Sequence, residues 1–443
     1  FCNLYYLIKE ISMSKEENRK NFSKYVSQNI LGMIGFSCYV LADSYFISIA
    51  KGADGLTALN LVMPLYSIIF SIGEMIGVGS AIRYAISKIK KDADADDYFW
   101  NALIWCILSS MLFVFAGIFF SADIMRVLGA DEHIVAVGNN YTKIFMCFAP
   151  MFMCNYVTNA FVRNDGAPGI AMSATLFSSL FNIVFDYILM FPMNLGMEGA
   201  ALATALSPII GMGICSIHFF SKKSSVRLVV CKPSVRKLVA GSQLGVSAFV
   251  GEMSSAVITL AFNFVILKLA GNVGVAAYGV VANIAIVTTA VFNGVAQGSQ
   301  PLISSCFGRG DKDGCTQLKR MGYTTAFVLA AVMYSILFIF AGQFVAVFNS
   351  EGSEMLRLYA TEGVKLYFIG IFFAGINIVG GGAFSATEDA FKAAVVSVAR
   401  GFVLILGAVF VMSALFGMTG VWLAYAVAVG ITTFIMLVMV LRV

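Results

Sequence analysis

Two pairs of polar residues stand at helical spacing inside strongly apolar stretches of this sequence. Asn182 and Asp186 lie in "SSLFNIVFDYILMF", and Tyr39 and Asp43 lie in "CYVLADSYFI". Residues four positions apart share one face of a helix, so each pair predicts a polar patch on an otherwise apolar helix. An acid in such a helix is a functional candidate, because its charge is costly to bury.

Two such acids together can bind a proton or a metal cation. If Asp43 and Asp186 meet in a low dielectric, they cannot easily both stay charged, so one holds a proton near neutral pH or the two share a cation. We expect Tyr39, Asn182 and Thr204 to complete this coupling site. If the cation is Na⁺, Asp43, Asn182 and Asp186 would bind it. The alternative is that Asn182 and Asp186 only join helices through hydrogen bonds.

Two further acids lie well inside apolar runs. Glu252, in "GVSAFVGEMSSAV", is a candidate for binding a cation or a substrate. The alternatives are that it simply faces a water-filled cavity or that it pairs with a polar neighbour such as Asn283. Glu74, in "SIGEMIGVGS", is surrounded by small residues, and close helix packing is the alternative to a direct role. The deep parts of these runs contain essentially no Lys or Arg.

Membrane-spanning helices must position these side chains. Of the 443 residues, 59% are hydrophobic and 12% are charged, whereas soluble domains have roughly 25% charged residues. Apolar runs of about 20 residues or more recur between short polar loops. The sequence therefore predicts an all-α membrane protein with twelve transmembrane helices, at 24–50, 57–87, 98–121, 133–162, 168–191, 197–220, 237–269, 274–306, 318–348, 354–386, 391–415 and 418–442.

The basic residues predict how the chain is oriented. If both termini are cytosolic, the cytosolic segments hold 23 of the 29 Lys and Arg residues. Because such an excess marks the cytosolic side, we predict a multi-pass protein of the plasma membrane with both termini in the cytosol. The net charge of +5 is dispersed over separate loops, which does not favour binding of nucleic acid.

The chain divides into two similar halves on either side of "SKKSSVRLVVCKPSVRK". Shifted by 219 positions, "GLTALNLV" lies on "GVAAYGVV", and shifted by 221, "GMEGAALATA" lies on "GMTGVWLAYA". Such parallel halves are typical of transporters in which one half rocks against the other. We predict two pseudo-symmetric lobes of six helices each, with these boundaries: a cytosolic amino-terminal segment at 1–23, an N-lobe at 24–220, a cytosolic linker at 221–236 and a C-lobe at 237–443.

The second half does not repeat the polar cluster. At the shift of 221, Asn182 falls on Val403 and Asp186 on Gly407. The fold therefore does not require these side chains, which favours a functional role for them.

Several classes of protein are disfavoured. The nine cysteines form no C-x-x-C motif, and His133 and His218 are far from each other in the sequence, so we expect no disulfide framework, metal centre or cofactor. An enzyme would need a nucleophile with a base, or metal ligands, at membrane depth, and we do not expect one. A channel or a receptor does not account for the repeat of six helices.

The sequence resembles the multidrug and toxic compound extrusion (MATE) transporters over nearly its whole length. The stretches that carry this resemblance are "LADSYFISIAKGADGLTALNLVMP", "GVGSAIRYAISK", "FVRNDGAPGIAM" and "LFNIVFDYILMFPMNLGMEGAALATALS". The resemblance implies two lobes arranged in a V. It also implies export of drug-like, often cationic compounds, driven by inward movement of Na⁺ or H⁺.

The resemblance also implies roles for individual residues. The residues that match the family's amino-terminal site are Tyr39, Asp43, Asn182, Asp186 and Thr204. Glu252 matches the acid of the seventh helix in the NorM-type branch. The acid that this branch carries in the tenth helix has no match in "FAGINIVGGGAF", which leaves open whether the second half has its own cation site.

We therefore expect an antiporter that exports organic, cationic or amphipathic compounds and takes up a cation at Asp43 and Asp186. The alternative is a flippase for lipid-linked precursors from the same superfamily. Its anionic substrate would call for Arg or Lys in the cavity, where the sequence offers acids. The expected partners are small organic substrates and the lipid bilayer, and we expect a monomer.

Overall fold

A computed structural model describes residues 15–348 and 353–441, and in these ranges the regular structure is entirely helical. Nine of the described helices are long and apolar enough to cross a membrane, and a pair of helices bent by 46° at Phe148 makes a tenth candidate span. Two of these spans are merged helices with a kink at Gly271 and at Gly417. Dividing them there gives the twelve helices that the sequence predicts.

We number these helices α1 to α12 in chain order. Their bounds are α1 Lys15–Gly52, α2 Asp54–Lys90, α3 Asp97–Val127, α4 Glu132–Cys147 with Ala149–Asn164, α5 Pro168–Met190, α6 Gly196–Phe219, α7 235–270, α8 272–308, α9 Lys312–Ile339, α10 Glu354–Ala386, α11 390–416 and α12 418–441. A short helix, Ala341–Phe348, follows α9. Residues 1–14 of the predicted amino-terminal segment 1–23, residues 349–352 and residues 442–443 lie outside the described residues.

Some helix boundaries differ from the predicted ones for local reasons. Helix α1 already includes Lys15, the first described residue, nine residues before the predicted start, and acidic residues such as Glu16 and Glu17 are favourable near the start of a helix. Helix α4 bends at Phe148, where Pro150 begins the second segment and supplies no backbone N–H. The sequence predicts a single helix, 133–162, over both segments, with Pro150 inside it as a residue that permits a kink.

Glycines at equivalent positions confirm the internal repeat. Gly52 between α1 and α2 has φ +60°, and Gly271, 219 positions later between α7 and α8, has φ +61°. Gly196 and Gly417, which are 221 positions apart, have φ +52° and +58°. Glycine adopts this left-handed conformation without the steric cost that a Cβ brings. The same two shifts that align the sequence thus align its tightest turns.

The apolar core is divided between the two halves. One large cluster of buried side chains joins α1 to α6, with Val62, Tyr141 and Ala200 among its members, and a second joins α7 to α12, with Phe292 and Trp422. Phe22 and Val26 of α1 belong to the second cluster and Leu244 of α7 to the first, so each half has a core of its own and a few side chains cross the boundary between them. We call these halves the N-lobe and the C-lobe.

The linker after α6 lies against the N-lobe. Val226 is buried in the N-lobe core, the Ser225 backbone N–H donates to Asp165 Oδ2 at 2.9 Å, and the Ser234 N–H donates to Asn101 Oδ1 at 2.6 Å. Ser234 also caps α7, because its hydroxyl accepts from the Lys237 N–H. We call the end of the bundle at which α1 and α7 begin, and against which the linker lies, the linker end. We call the opposite end the far end.

The lobes touch backbone to backbone at the linker end. A Cβ added to Gly245 of α7 would lie 1.9 Å from the Met75 carbonyl oxygen of α2, and one added to Gly79 would lie 2.0 Å from the Gly241 carbonyl oxygen. Small residues allow helices to approach this closely in membranes. The structure is therefore closed between the lobes at the linker end.

Ion pairs also cross between the lobes at the linker end. Lys237 Nζ of α7 lies 2.9 Å from Asp94 Oδ2 and 2.6 Å from Asp97 Oδ2 in the N-lobe, and its hydrogen bond lowers the pKa of Asp94. Arg83 of α2 pairs with Glu388, which precedes α11. These contacts add charge complementarity to the glycine contacts.

We predict that Gly245→Ala opens the linker end. Its added methyl group would collide with the Met75 carbonyl group, so α2 and α7 must move apart. Pulsed electron paramagnetic resonance between spin labels at positions 92 and 312, both exposed and on opposite lobes, should show a longer distance. The control is Gly279→Ala, because no atom lies within 4 Å of a Cβ at that position. Equal distance distributions for the two variants would contradict the prediction.

Candidate functional site

The predicted polar cluster lies inside the N-lobe. Asp43 of α1 is 6% exposed, Asn182 and Asp186 of α5 are 0% exposed, and Thr204 of α6 is 2% exposed. On α5, Asn182 and Asp186 continue the buried stripe of the helix that ends at Met190. Their helical spacing therefore turns them towards the lobe interior rather than towards lipid.

Hydrogen bonds connect three members of this cluster. The Asn182 amide contacts Thr204 Oγ1 at 3.2 Å. In the amide orientation that satisfies both of its ends, the oxygen accepts from the Thr204 hydroxyl, and the nitrogen donates to Asp186 Oδ2 at 3.0 Å. Asn182 thus orients one oxygen of the Asp186 carboxylate.

The two acids keep acceptor capacity that the protein does not use. Oδ1 of Asp43 and Oδ1 of Asp186 are both buried, and neither accepts a hydrogen bond within the part of the chain that the structure describes. Burying such an oxygen without a partner is costly. A proton or a small cation would satisfy this requirement, and carboxylate, amide and hydroxyl oxygens are suitable ligands for a hard cation.

Three tyrosines lie near these acids. Tyr39 is one helical turn before Asp43 and also lines the cavity between the lobes. The hydroxyl groups of Tyr66 and Tyr141 hydrogen-bond to each other, and both tyrosines lie close enough to Asp43 to interact with its charge. Sequence reasoning found Tyr39 from its spacing but missed the other two, since seventeen tyrosines in the chain give no signal that singles them out.

A second site, the central cavity, lies between the lobes. Glu74 of α2 and Glu252 of α7 both line it, so the structure brings together two acids that the sequence treats separately. The other lining residues that carry polar or aromatic side chains include Asn29, Phe36, Tyr39, Phe70, Phe152, Asn155, Tyr156, Asn159, Arg163, Asn293 and Gln297. The cavity is therefore acidic, with an aromatic wall.

The expectation that the deep spans lack basic residues is wrong. Arg163, which the predicted topology assigns to a loop, lies within α4, is 6% exposed and lines the central cavity. Its Nη1 donates to Asn29 Oδ1 at 3.2 Å and to Gln297 Oε1 at 2.5 Å. The helix continues to Asn164, and Arg163 stays inside because these amides accept from its guanidinium.

Glu252 does not use its predicted neighbour. Among the described residues no hydrogen bond joins Glu252 to Asn283, and Asn293 is the asparagine of α8 that lines the cavity. Arg400, at a π-helical turn of α11, lies next to Gly251, with its Nη2 3.8 Å from where a Cβ would be. Glu252 therefore faces the cavity beside helices of its own lobe.

Each histidine pairs with an aspartate. His218 Nε2 lies 2.8 Å from Asp165 Oδ2 in a buried contact at the linker end, and His133 Nε2 lies 2.9 Å from Asp54 Oδ2 on the surface. Within residues 15–348 and 353–441, no group of three His, Cys, Asp or Glu side chains could hold a metal ion. These histidines stabilise local structure in the N-lobe.

Comparisons with known proteins agree with this architecture. The profile of the MatE family matches residues 29–188 and 248–411. The chain is 27% identical over 404 residues to the multidrug export protein MepA of Staphylococcus aureus (strain MRSA252), a match that covers 88% of this chain and 86% of that protein. It is 26% identical over 399 residues to MepA of Staphylococcus saprophyticus, with the same coverage.

Solved structures share the fold. A crystal structure of MATE in complex with MaL6 superposes with a TM-score of 0.90 at 20% identity, covering 96% of each chain. An outward-facing multidrug resistance transporter of the MATE family gives a TM-score of 0.87 at 20% identity, also over 96% of each chain. The two six-helix lobes predicted from the sequence are thus confirmed.

We predict that Thr204→Val destabilises the N-lobe cluster. The substitution keeps the volume of the side chain but removes the hydroxyl group that contacts Asn182, so the buried amide loses a partner, at a cost of about 1 kcal/mol. Thermal unfolding of the purified protein in detergent should show a lower midpoint. Thr432→Val is the control, because Thr432 is equally buried and donates only to Ala428 O of its own helix. Equal midpoints for the two variants would argue against the hydrogen bond.

Proposed function

Because this chain belongs to the MatE family, the multidrug and toxic compound extrusion transporters, we propose that it exports organic cations in exchange for Na⁺ or H⁺. As a family member it is a multi-pass membrane transporter of small organic compounds and not an enzyme. The coupling ion, the cationic character of the substrate and the plasma membrane with cytosolic termini belong to the proposal.

The observation that carries the proposal is the pair of unsatisfied carboxylate oxygens in the N-lobe. Asp43 and Asp186 are buried acids of one lobe, and each has a buried oxygen without a hydrogen-bond donor among the described residues. Acids in this situation favour protonation or cation binding, because either neutralises the charge. An acid pair that only joined helices would have its oxygens paired.

The position of the cluster suits uptake from the far end. Asp43 is nine residues from Gly52, the last residue of α1, and so lies about 14 Å from that end of the helix. Asp186 is four residues from Met190, where α5 ends. With the linker end closed and placed in the cytosol, an ion would enter this cluster from the outside.

The mechanism requires that the ion binds the two states of the transporter differently. One state is closed at the linker end, as in this structure, and the other is closed at the far end. An ion that neutralises Asp43 and Asp186 can shift the equilibrium only through its different affinity for the two states. We propose that its binding favours release of the organic cation outside and the return of the lobes to the other state.

A flippase for lipid-linked precursors is the second candidate function. Arg163 in the central cavity is the observation that favours it, since an anionic headgroup needs a basic partner. Two acids line the same cavity, however, and the amides of Asn29 and Gln297 already accept from Arg163. The cavity therefore suits a cation better than an anion.

The experiment uses purified protein in liposomes, with a Na⁺ gradient and a pH gradient imposed separately. The gradient that drives uptake of a fluorescent organic cation identifies the coupling ion. Asp43→Asn and Asp186→Asn should each abolish this uptake, because a neutral amide cannot exchange a proton and binds a cation weakly. Asp123→Asn is the control, since Asp123 is exposed and pairs only with Arg126. Full uptake by both cluster variants would refute the proposed coupling site.

A further inference from the structure

A chain of polar side chains crosses between the lobes inside the central cavity. Arg163 Nη1 of the N-lobe donates to Gln297 Oε1 of the C-lobe at 2.5 Å, and Gln297 Nε2 donates in turn to Glu74 Oε1 of the N-lobe at 3.3 Å. One amide of α8 is thus held between a base and an acid of the other lobe. The coupling site at Asp43 and Asp186 makes no use of these residues.

We propose that Glu74 and Glu252 together bind the positively charged group of an organic cation, and that the Gln297 amide competes with this group for Glu74 when the linker end is closed. The inference rests on the proposed export of organic cations and names the site that would bind them. It also assigns Gln297 the role of a positioning residue that lowers the affinity of one state.

The surroundings of the two acids suit an aromatic cation. Glu74 and Glu252 come from opposite lobes and line one cavity, where their like charges repel each other unless a cation or a proton lies between them. Among the described residues no side chain or backbone group donates a hydrogen bond to Glu252, so its carboxylate is available. Phe36, Phe70 and Tyr156 line the same cavity, and aromatic faces attract cations and apolar rings.

The amide of Gln297 cannot turn away from Glu74 at low cost. Its oxygen accepts from Arg163, so its nitrogen must point towards the Glu74 carboxylate. If the amide flipped, its NH₂ group would face the guanidinium, which is only a donor. Arg163 Nε is already buried without a hydrogen-bond partner among the described residues. A flipped amide would also deprive Arg163 Nη1 of its acceptor Gln297 Oε1. The positively charged group of a substrate must therefore displace the Gln297 NH₂ group, which Arg163 holds in place.

Lobe closure determines whether Gln297 reaches Glu74. Gly294 and Gly298 flank Gln297 on α8, and a Cβ on them would lie 2.6 Å from Ile30 Cα and 2.7 Å from Val26 Cα of α1. These backbone contacts hold α8 against the N-lobe at the linker end. When the lobes separate there, Gln297 leaves with α8, and Glu74 becomes free to bind the cation.

The competition gives the two states different affinities for the substrate. In the closed state Glu74 already accepts from Gln297, whereas in the state that is open at the linker end it does not. A difference of this kind is what allows a conformational change to release a ligand. The substrate would therefore be bound at the linker end and released at the far end.

The test is equilibrium binding of tetraphenylphosphonium to the purified full-length protein at fixed pH. Gln297→Ala should bind the probe about threefold more tightly, because it removes one hydrogen bond that competes for Glu74. Gln297→Leu removes the same donor while nearly keeping the volume, so it should give the same gain. Glu74→Gln should bind about tenfold more weakly, because it removes a charge-assisted contact.

A double variant and a control make the test specific. In the Glu74→Gln background, Gln297→Leu should have no further effect, because the competition needs the Glu74 charge. Gln300→Leu is the matched control, since Gln300 is a buried glutamine on α8 that does not line the cavity, and its affinity should equal that of the wild type.

The outcomes separate the inference from the proposed function. A wild-type protein that does not bind tetraphenylphosphonium would overturn both. If the wild type binds the probe but folded Gln297→Ala and Gln297→Leu bind it equally well or more weakly, only the competition is overturned. A gain for Gln297→Leu that persists in the Glu74→Gln background would also overturn it, since Gln297 would then act elsewhere.

Discussion

The cost of burying a carboxylate in a low-dielectric interior is the constraint on which the rest of this structure depends. Burial of Asp43 and Asp186 is tolerated only where other groups offset the cost of their charges. For Asp186, a hydrogen bond from Asn182, which is itself bonded to Thr204, offsets part of this cost. One buried oxygen of each acid still has no hydrogen-bond donor among the described residues, and a proton or a cation bound there would offset this cost. An apolar cluster of the same shape would be more stable and would respond to neither.

Under the proposed function, the close contact between the lobes would transmit the effect of ion binding over distance. The acid cluster lies in the far half of the N-lobe, whereas Gly79, Gly241 and Gly245 meet at the linker end. Each lobe has its own packed core, and packed cores resist continuous deformation. A change at the cluster is therefore expressed where the lobes meet rather than inside one of them, and Gln297 lies at that boundary.

The sequence predicts the parts of this arrangement that follow from local periodicity. Apolar runs locate the helices, the spacing of Asn182 and Asp186 places them on one face, and the shift of 219 pairs Gly52 with Gly271, whose matching turns the structure confirms. Arg163 escapes prediction because it stands at the apparent end of an apolar run, before "NDGAPG", and only tertiary contacts show that it points inwards. The pairing of Glu74 with Gln297 joins residues 223 positions apart, and no local pattern encodes such a contact.

The two lobes have diverged in what they do with equivalent positions. Where the N-lobe carries Asp43, the C-lobe carries Phe262, which is 0% exposed and stacks on Tyr278 with ring centroids 5.0 Å apart. An aromatic pair stabilises the lobe by packing, whereas a buried acid at the same position would need a counter-charge. At this position the C-lobe therefore has an aromatic pair in place of an acid, and two of its polar side chains, Glu252 and Gln297, line the cavity that it shares with the N-lobe. Under the proposed function, this loss of the repeat's symmetry would leave ion coupling to the N-lobe, while both lobes contact the substrate through Glu74 and Glu252.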